Sequence, residues 1–240
     1  MNCKNCQKYY PSQKNFHLCS YVCVIDATHH PIGGKEYYEY LAVDTGQGIL
    51  HRYLRPGREC TYGYRKLLEE LEEAGYIPDA IVSDGGTGIA STVRYFDFKV
   101  HQRCHVHIMR DMRRGFRMPK KRMKQTLRKY YIYKYAKLVL DARTEKQKQA
   151  RWKHFERVVL KMWSPQGDGE KNVVKAFVRA MPNAFTFMKY ELQYTIPTTS
   201  NRVEGHISNL NTRLKTMRGM KNSNNAELLL NGIHYYLVKR

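Results

Sequence analysis

The sequence has few acidic side chains and no long apolar segment. Its 240 residues include 21 Asp and Glu against 42 Lys and Arg, which gives a formal net charge of +21. No apolar run approaches the roughly 20 residues that a transmembrane helix requires, and the amino terminus lacks the apolar region of a signal peptide. We therefore expect a cytoplasmic protein with no membrane partner. Its strongly positive surface points to polyanions, nucleic acid above all, as partners.

Cysteine is also scarce, with six in the chain. Because no export signal is present, we expect free thiols rather than disulfides. Cys3 and Cys6 have the spacing of a zinc knuckle, for which His17, Cys19 or Cys23 would supply the second pair of ligands. Cys19 and Cys23 also flank or lie within an apolar run, where cysteine is an ordinary core residue. We interpret residues 1–19 as a short arm. Its cysteines either bind a structural zinc or remain plain thiols.

Three acidic residues occupy unusual places in this basic chain. Asp26 ends the apolar run 20–25, and Asp84 ends the run 80–83 before the Gly85-Gly86 turn. A carboxylate at the end of a buried strand is costly unless a cation, a hydrogen-bond network or a raised pKa accommodates it. Glu204 opens a basic amphipathic helix far downstream. The three acids together predict a metal site that faces nucleic acid.

Each acid also has a plainer interpretation. Asp26 can accept hydrogen bonds in a turn, Asp84 can simply open the glycine turn, and Asn201 and Glu204 have the spacing of a helix capping box. Only the joint placement of the three favours catalysis.

The first hundred residues read as an α/β fold. Alternating apolar residues predict strands at 21–26, 37–43 and 49–53, separated by turns at 31–34 and 44–48. A helix over 62–74, ending at Gly75, leads to a fourth strand at 80–83, and a short helix from Thr87 leads to a fifth at 98–101. In chain order this gives three antiparallel strands followed by two parallel strands.

The rest of the chain reads as helical. We divide it into a helical insertion at 105–197 and carboxyl-terminal helices at 198–240 that complete the core begun by residues 20–104. Val203, Ile207, Leu210 and Leu214 recur at the three- and four-residue spacing of one helical face, and Glu204 falls at the edge of that face. A glutamate there can reach the edge of a sheet on which the helix packs.

Two short motifs accompany the acids. Cys104-His105-Val106-His107 follows Asp84 with C-x2-H spacing, and Thr199-Ser200-Asn201-Arg202-Val203-Glu204-Gly205 surrounds the third acid. With the helical insertion between them, these motifs resemble those of DDE transposases with a ribonuclease H-like core, specifically the Mutator-like and related bacterial insertion-sequence families. The resemblance covers roughly residues 20 to 238.

The resemblance implies a fold, an activity and a site. It implies that Asp26, Asp84 and Glu204 are catalytic ligands of two Mg²⁺ or Mn²⁺ ions, which suits the preference of these ions for oxygen. It implies metal-dependent hydrolysis of a DNA strand and transfer of the resulting 3′-hydroxyl to target DNA. The implied partners are transposon ends, target DNA and a second copy of the chain, in the cytoplasm or nucleoid of a bacterium or archaeon.

The C-x2-H motif places Cys104 and His107 on one helical face. We interpret the pair as a structural brace at the start of the insertion. A zinc site stays open as the alternative, although only His101 or His105 offers an evident further ligand.

A basic run follows the motif. Arg113, Arg117, Lys120 and Lys121, together with Arg202 near the third acid, are predicted to contact DNA phosphates, with tyrosines behind them that either stack on bases or belong to the core.

Two other functions remain in competition with transposition. One is a related nuclease that hydrolyses DNA without joining it. The other is a truncated, non-catalytic nucleic-acid-binding derivative, suggested by the short segment before Asp26 where such families usually carry a DNA-binding region.

Overall fold

A five-stranded mixed sheet organises the fold. The computed structural model describes residues 22–45, 48–76, 78–118, 127–216, 220 and 222–238. The strands are β1 (Val22–Ile32), β2 (Lys35–Asp44), β3 (Gly48–Pro56), β4 (Ala80–Ser83) and β5 (Val100–Arg103). Their spatial order is β3-β2-β1-β4-β5, with β1, β2 and β3 antiparallel and β1, β4 and β5 parallel. The predicted α/β class is confirmed, although in space the first strand lies in the middle.

The first hairpin is much longer than predicted. Gly33 and Gly34 have φ angles of 56° and 76°, so they alone form the turn, and β1 continues to Ile32. Asp26 therefore lies inside a strand, which corrects the prediction that it ends one. Pro31 is tolerated in this strand because the parallel pairing with β4 ends at Val24, leaving the distal half of β1 paired with β2.

Other strand bounds also differ from prediction. The strand at 80–83 is confirmed, whereas β3 extends to Pro56 and β5 begins at Val100, two residues after the predicted start. Asp97 adopts a φ of 51° just before β5, so the chain is still turning where the apolar pattern predicted a strand.

Helices account for most of the remaining described residues. They are α1 (Thr61–Glu73), α2 (Thr87–Tyr95), α3 (His105–Gly115), α4 (Leu127–Leu140), α5 (Glu145–Phe155), α6 (Gly167–Ala184), α7 (Thr186–Lys189), α8 (Asn201–Thr216) and α9 (Ser223–Val238), and a π-helical segment, Glu156–Met162, continues α5. Within the described parts of the chain, no helix combines the length and apolar character needed to cross a membrane.

Alternating side chains give the sheet two apolar faces. Cys23 and Ile25 pack with α1 and α2, whereas Val22 and Val24 pack with Val203 of α8. Asp26 continues the alternation of Val22 and Val24, so it belongs to the α8 face of the sheet.

The helices α3 to α6 have a separate core, in which Ile108, Ile132, Phe155 and Phe177 are buried together. Of the tyrosines in α4, Tyr130 and Tyr131 are exposed, while Tyr133 and Tyr135 pack against that core. The division into an insertion and a completed core stays a prediction.

A buried carboxylate ties β2 to its neighbours. Glu39 is fully buried and accepts hydrogen bonds from His30 Nε2 at 2.9 Å, His234 Nε2 at 2.8 Å and Arg52 Nη1 at 3.3 Å. These partners lie on β1, α9 and β3. Burial raises the pKa of Glu39, but the hydrogen bonds from His234 and His30 outweigh it and lower the pKa to about 2. The carboxylate thus anchors α9 to the sheet in ionised form.

We expect Glu39→Gln to lower the free energy of unfolding at pH 7 by about 3 kcal/mol, because Arg52 loses a buried counter-charge and the hydrogen bonds from two histidines lose a charged acceptor. Since the pKa falls from 4.5 to about 2 on folding, the stabilisation is complete above pH 4.5 and is lost as the pH falls towards 2. Urea titrations across this range measure it. Glu36→Gln, exposed on the same strand, is the control, and an equal loss there would refute the anchoring role.

Candidate active site

The register of β1 and β4 brings two of the predicted acids together. Val24 pairs with Val82 in the parallel ladder. Asp26 and Asp84 each lie two residues further along their own strand direction. Because the carboxyl ends of parallel strands meet at one edge of a sheet, the two aspartates lie side by side where β1 and β4 stop pairing.

Asp26 is partly buried, and its Oδ1 accepts the Ala27 backbone N–H at 2.8 Å. Burial raises the pKa of Asp26 to about 6; the Ala27 hydrogen bond and His107 lower it, while the charges of Asp84 and Glu204 raise it further. The charges of both other predicted acids thus act on the Asp26 carboxylate. The three carboxylates therefore lie close enough for their charges to interact.

Hydrogen bonds from Gly86 and Arg103 hold the loop that carries Asp84. Asp84 Oδ1 accepts the Gly86 backbone N–H at 2.8 Å, so it does open the glycine turn as the plainer interpretation proposed. Gly85 has a φ of 75°, and a Cβ atom there would lie 2.5 Å from Arg103 Nε. Arg103 Nε donates to the Asp84 carbonyl at 3.1 Å. Glycine lets the arginine side chain support the loop directly.

Glu204 enters from the first turn of α8. Its Oε2 accepts from Arg110 Nη2 at 3.1 Å, and its Oε1 accepts from Ser200 Oγ at 3.2 Å and lies 3.5 Å from His107 Nδ1. Arg110 and His107 lie one turn apart on α3. The third acid is therefore positioned and partly neutralised by the helix that follows β5.

Cys104 joins the starts of α3 and α8. The thiol is fully buried, and its Sγ accepts from the Ser200 backbone N–H and from Ser200 Oγ, both at 3.3 Å. His105 N–H donates to the Thr198 carbonyl at 2.9 Å beside it. Burial raises the pKa of the Cys104 thiol, but hydrogen bonds from His107 and Ser200 outweigh it and lower the pKa, and the Cys104 contact raises the pKa of His107.

Cys104, His107 and Glu204 also have the chemistry of a metal site. Their ligand atoms all lie within 4.8 Å of one another. Neither further zinc ligand considered from the sequence joins them, because His101 Nε2 pairs with Ser83 Oγ at 2.8 Å and His105 Nε2 with the Ala184 carbonyl at 2.5 Å. Ser200 donates two hydrogen bonds to Cys104 Sγ, and Arg110 pairs with Glu204. Because these ligand atoms already have partners, the cluster favours a structural brace over a bound metal ion.

A cleft opens beside these residues. It has a volume of about 490 Å³, and its lining includes Asp26, His107, Arg110, Glu204 and Lys215. A neighbouring cleft of about 420 Å³ shares Arg110 and adds Arg113, Lys137, Arg143, Thr198 and Thr199. A band of positive charge therefore leads from the acids across α3, which suits a phosphodiester substrate.

Three of the other residues that the sequence predicts to contact DNA lie in the described part of the chain. Arg113 lines the second cleft, Arg117 is exposed just beyond α3, and Arg202 is exposed in the first turn of α8. Lys120 and Lys121, like Cys3, Cys6 and Cys19, lie outside the described residues.

Sequence reasoning missed Arg110, Ser200, Lys137 and Arg143. Two of these carried a usable signal: Arg110 follows His107 by three residues and Ser200 precedes Glu204 by four, so each shares a helical face or a helix start with a predicted residue.

We expect the zinc content of the purified protein to be the same in wild type and in Cys104→Ala, as measured by mass spectrometry of the metal. The free energy of unfolding should fall by about 2 kcal/mol, because the buried hydrogen bonds of Ser200 and His107 lose their acceptor. Loss of one zinc ion per chain in Cys104→Ala, but not in the half-buried Cys60→Ala, would establish a metal brace instead.

Comparison with known proteins places these residues in context. The family model described as "Transposase, Mutator family" matches residues 42–219. No curated protein sequence matches the chain. Among solved structures, the Drosophila P element transposase strand transfer complex is similar at 13% sequence identity and a TM-score of 0.29, over 92% of this chain and 73% of that chain. A TM-score this low carries no argument about fold or function.

Proposed function

Because this chain belongs to the Mutator family of transposases, we propose that it cuts DNA and joins the cut end to a target at a DDE site formed by Asp26, Asp84 and Glu204. The observations that support the proposal most are geometric: Asp26 and Asp84 each lie two residues beyond the last pair of β1 and β4, and Asp26 and Glu204 line one cleft. The sheet order and the placement of Glu204 on a helix across it are compatible with a ribonuclease H-like core.

The donor set fits magnesium or manganese. Three carboxylates offer only oxygen ligands, and hard divalent cations prefer oxygen. Burial and two neighbouring acids raise the pKa of Asp26, so negative charge accumulates where a cation would relieve it. Two such ions held by Asp26, Asp84 and Glu204 would activate the attacking hydroxyl and stabilise the leaving oxygen of the phosphodiester.

The chain's own cations position the substrate. Arg110 lies at the border of the two clefts, so it can contact the phosphate next to the reacting one while His107 and Ser200 hold Glu204. Arg113, Lys137 and Arg143 extend the basic surface along the DNA backbone away from the acids. Phosphate contacts of this kind fix the register of DNA without reading its sequence. Transposon ends, target DNA and a second copy of the chain are the partners that this reaction requires.

We expect Asp26→Asn, Asp84→Asn and Glu204→Gln each to abolish Mg²⁺- or Mn²⁺-dependent nicking and strand transfer. The loss should exceed the about 10- to 100-fold typical of a residue that acts through a metal ligand. Thermal unfolding should stay cooperative, since all three side chains are at least partly accessible. Glu191→Gln, an exposed acid beyond α7, is the matched control.

Gel assays with a labelled 3′-hydroxyl end separate the outcomes. Full activity in any one variant would remove that residue from the site. Cleavage without joining in the wild type would favour a nuclease, and DNA binding without any cleavage would favour a non-catalytic derivative.

Neutralising the band beside the acids should weaken DNA binding for every sequence alike. For Lys137→Gln combined with Arg143→Gln, we expect the slope of log affinity against log salt to fall by about 0.9 for each duplex phosphate that the variant no longer neutralises. Fluorescence anisotropy at several salt concentrations measures this slope. Lys171→Gln with Lys175→Gln, exposed on α6 outside both clefts, is the control; a sequence-specific loss with an unchanged slope would indicate base contacts instead.

A further inference from the structure

A larger cleft lies on the other side of the sheet edge from the acids. Its volume is about 1150 Å³, and it lies where β5 and α2 meet α5, α6 and α7. Val93, which lines it, belongs to the apolar cluster of the α1 and α2 face, and Tyr190, which also lines it, packs with the cluster of the α8 face, so the cleft lies at the β5 edge of the sheet. The cleft shares no lining residue with the one at the acids. It is therefore a separate surface.

The lining of this cleft is strongly cationic. Its positively charged residues are Arg94, Lys99, Arg103, Lys148, Arg179 and Lys189, and Asp97 is the only acid among the described residues that line it. His101, also in the lining, adds no charge near neutral pH, because burial lowers its pKa to about 4.

Two of these cations already form ion pairs. Arg103 supports the Asp84 carbonyl and pairs with Asp111 at 3.4 Å, and Lys148 pairs with Glu145 at 3.0 Å. The other four are exposed, and the described residues provide no ion pair for any of them.

These four charges come from four different places in the chain. Arg94 lies on α2, Lys99 just before β5, Arg179 on α6 and Lys189 on α7. Because four separate segments carry them around a cleft of about 1150 Å³, they suit an extended polyanion better than a single phosphate. Gathering like charges in a concave surface costs stability unless an anionic partner offsets it.

We propose that this cleft binds the phosphodiester backbone of a second DNA segment, one that is not the strand held at the acids. The inference rests on the proposed function, because joining a cut end to a target requires two DNA segments to be held at once. Arg103 lies between the two sites: it lines the cleft and donates to the carbonyl of Asp84. The second segment would therefore lie directly behind the loop that carries the second acid.

The test replaces Arg94, Lys99, Arg179 and Lys189 with Gln in the full chain. Binding to duplex and to single-stranded DNA is measured with chelator and no divalent metal, so that catalysis plays no part. We expect the affinity in ~0.15 M salt to fall about tenfold or more. The salt slope should fall by about 0.9 on duplex, or about 0.7 on single strands, for each phosphate that is no longer neutralised. The form of DNA that shows the larger loss of affinity identifies the occupant.

A control variant has the same change in net charge. It replaces Lys35, Lys153, Lys161 and Lys175, which are exposed outside this cleft, with Gln. We expect its binding to change less than twofold. An equal loss of affinity in both variants would overturn the proposal, since it would reflect total charge instead of a site.

Two further measurements do not depend on the fourfold variant folding. Asp97→Asn keeps a residue that tolerates the φ of 51° and removes the one acid of the lining, so it should tighten DNA binding by about two- to fivefold. In the wild-type protein, bound DNA should protect Lys99 and Lys189 from acetylation while Lys35 and Lys175 stay reactive. Unprotected Lys99 and Lys189 would overturn the proposal.

The outcomes also separate this proposal from the proposed function. DNA bound equally well by wild type and by the fourfold variant removes the second site and leaves the catalytic acids untouched. Weakened binding in the variant, with no metal-dependent cleavage by the wild type, keeps the second site and removes the catalytic proposal.

Discussion

The short parallel pairing of β1 with β4 is the constraint on which the candidate site depends. Among the described residues, Val22, Cys23 and Val24 alone pair with β4, after which β1 continues along β2 to the glycine turn. Asp26 and Asp84 follow the last pair by the same number of residues, so they emerge together at the point of divergence. A longer ladder would have enclosed Asp26, and a shift of one residue would have turned it to the opposite face.

Gathering three acids at that point requires compensation, even in a chain with a net charge of +21. Burial above all, with smaller contributions from the charges of Asp84 and Glu204, raises the pKa of Asp26 from 3.8 to about 6, which corresponds to about 3 kcal/mol against its ionised form. Glu204 is compensated by its ion pair with Arg110 and by His107 at 3.5 Å, both on α3. Cys104 and Ser200 fix the starts of α3 and α8 relative to each other, and hence fix Glu204. The C-x2-H motif thus acts on the third acid through packing and hydrogen bonds.

The same face of the sheet has a second polar centre that serves the scaffold. Glu39 holds β1, β3 and α9 together through ionic hydrogen bonds, and His234 continues the network to His206 of α8 at 2.7 Å. The helix that supplies Glu204 is therefore attached at two places, by Ser200 at its start and by His206 near its middle. The same helix thus supplies Glu204 and helps to stabilise the fold, while the basic cleft lies at the β5 edge of the sheet.

The sequence by itself determined the elements whose signals are local. The alternation of apolar residues, the breaks at glycine, the helical spacing from Val203 to Leu214 and the positions of the three acids can all be read along the chain. The extent of β1 could not be read, because Pro31 looks like a strand terminator until its unpaired edge is known. The four cations of the basic cleft could not be assigned either, since lysine and arginine are common throughout this chain. Their meaning depends on which distant residues lie opposite them, and only tertiary packing decides that.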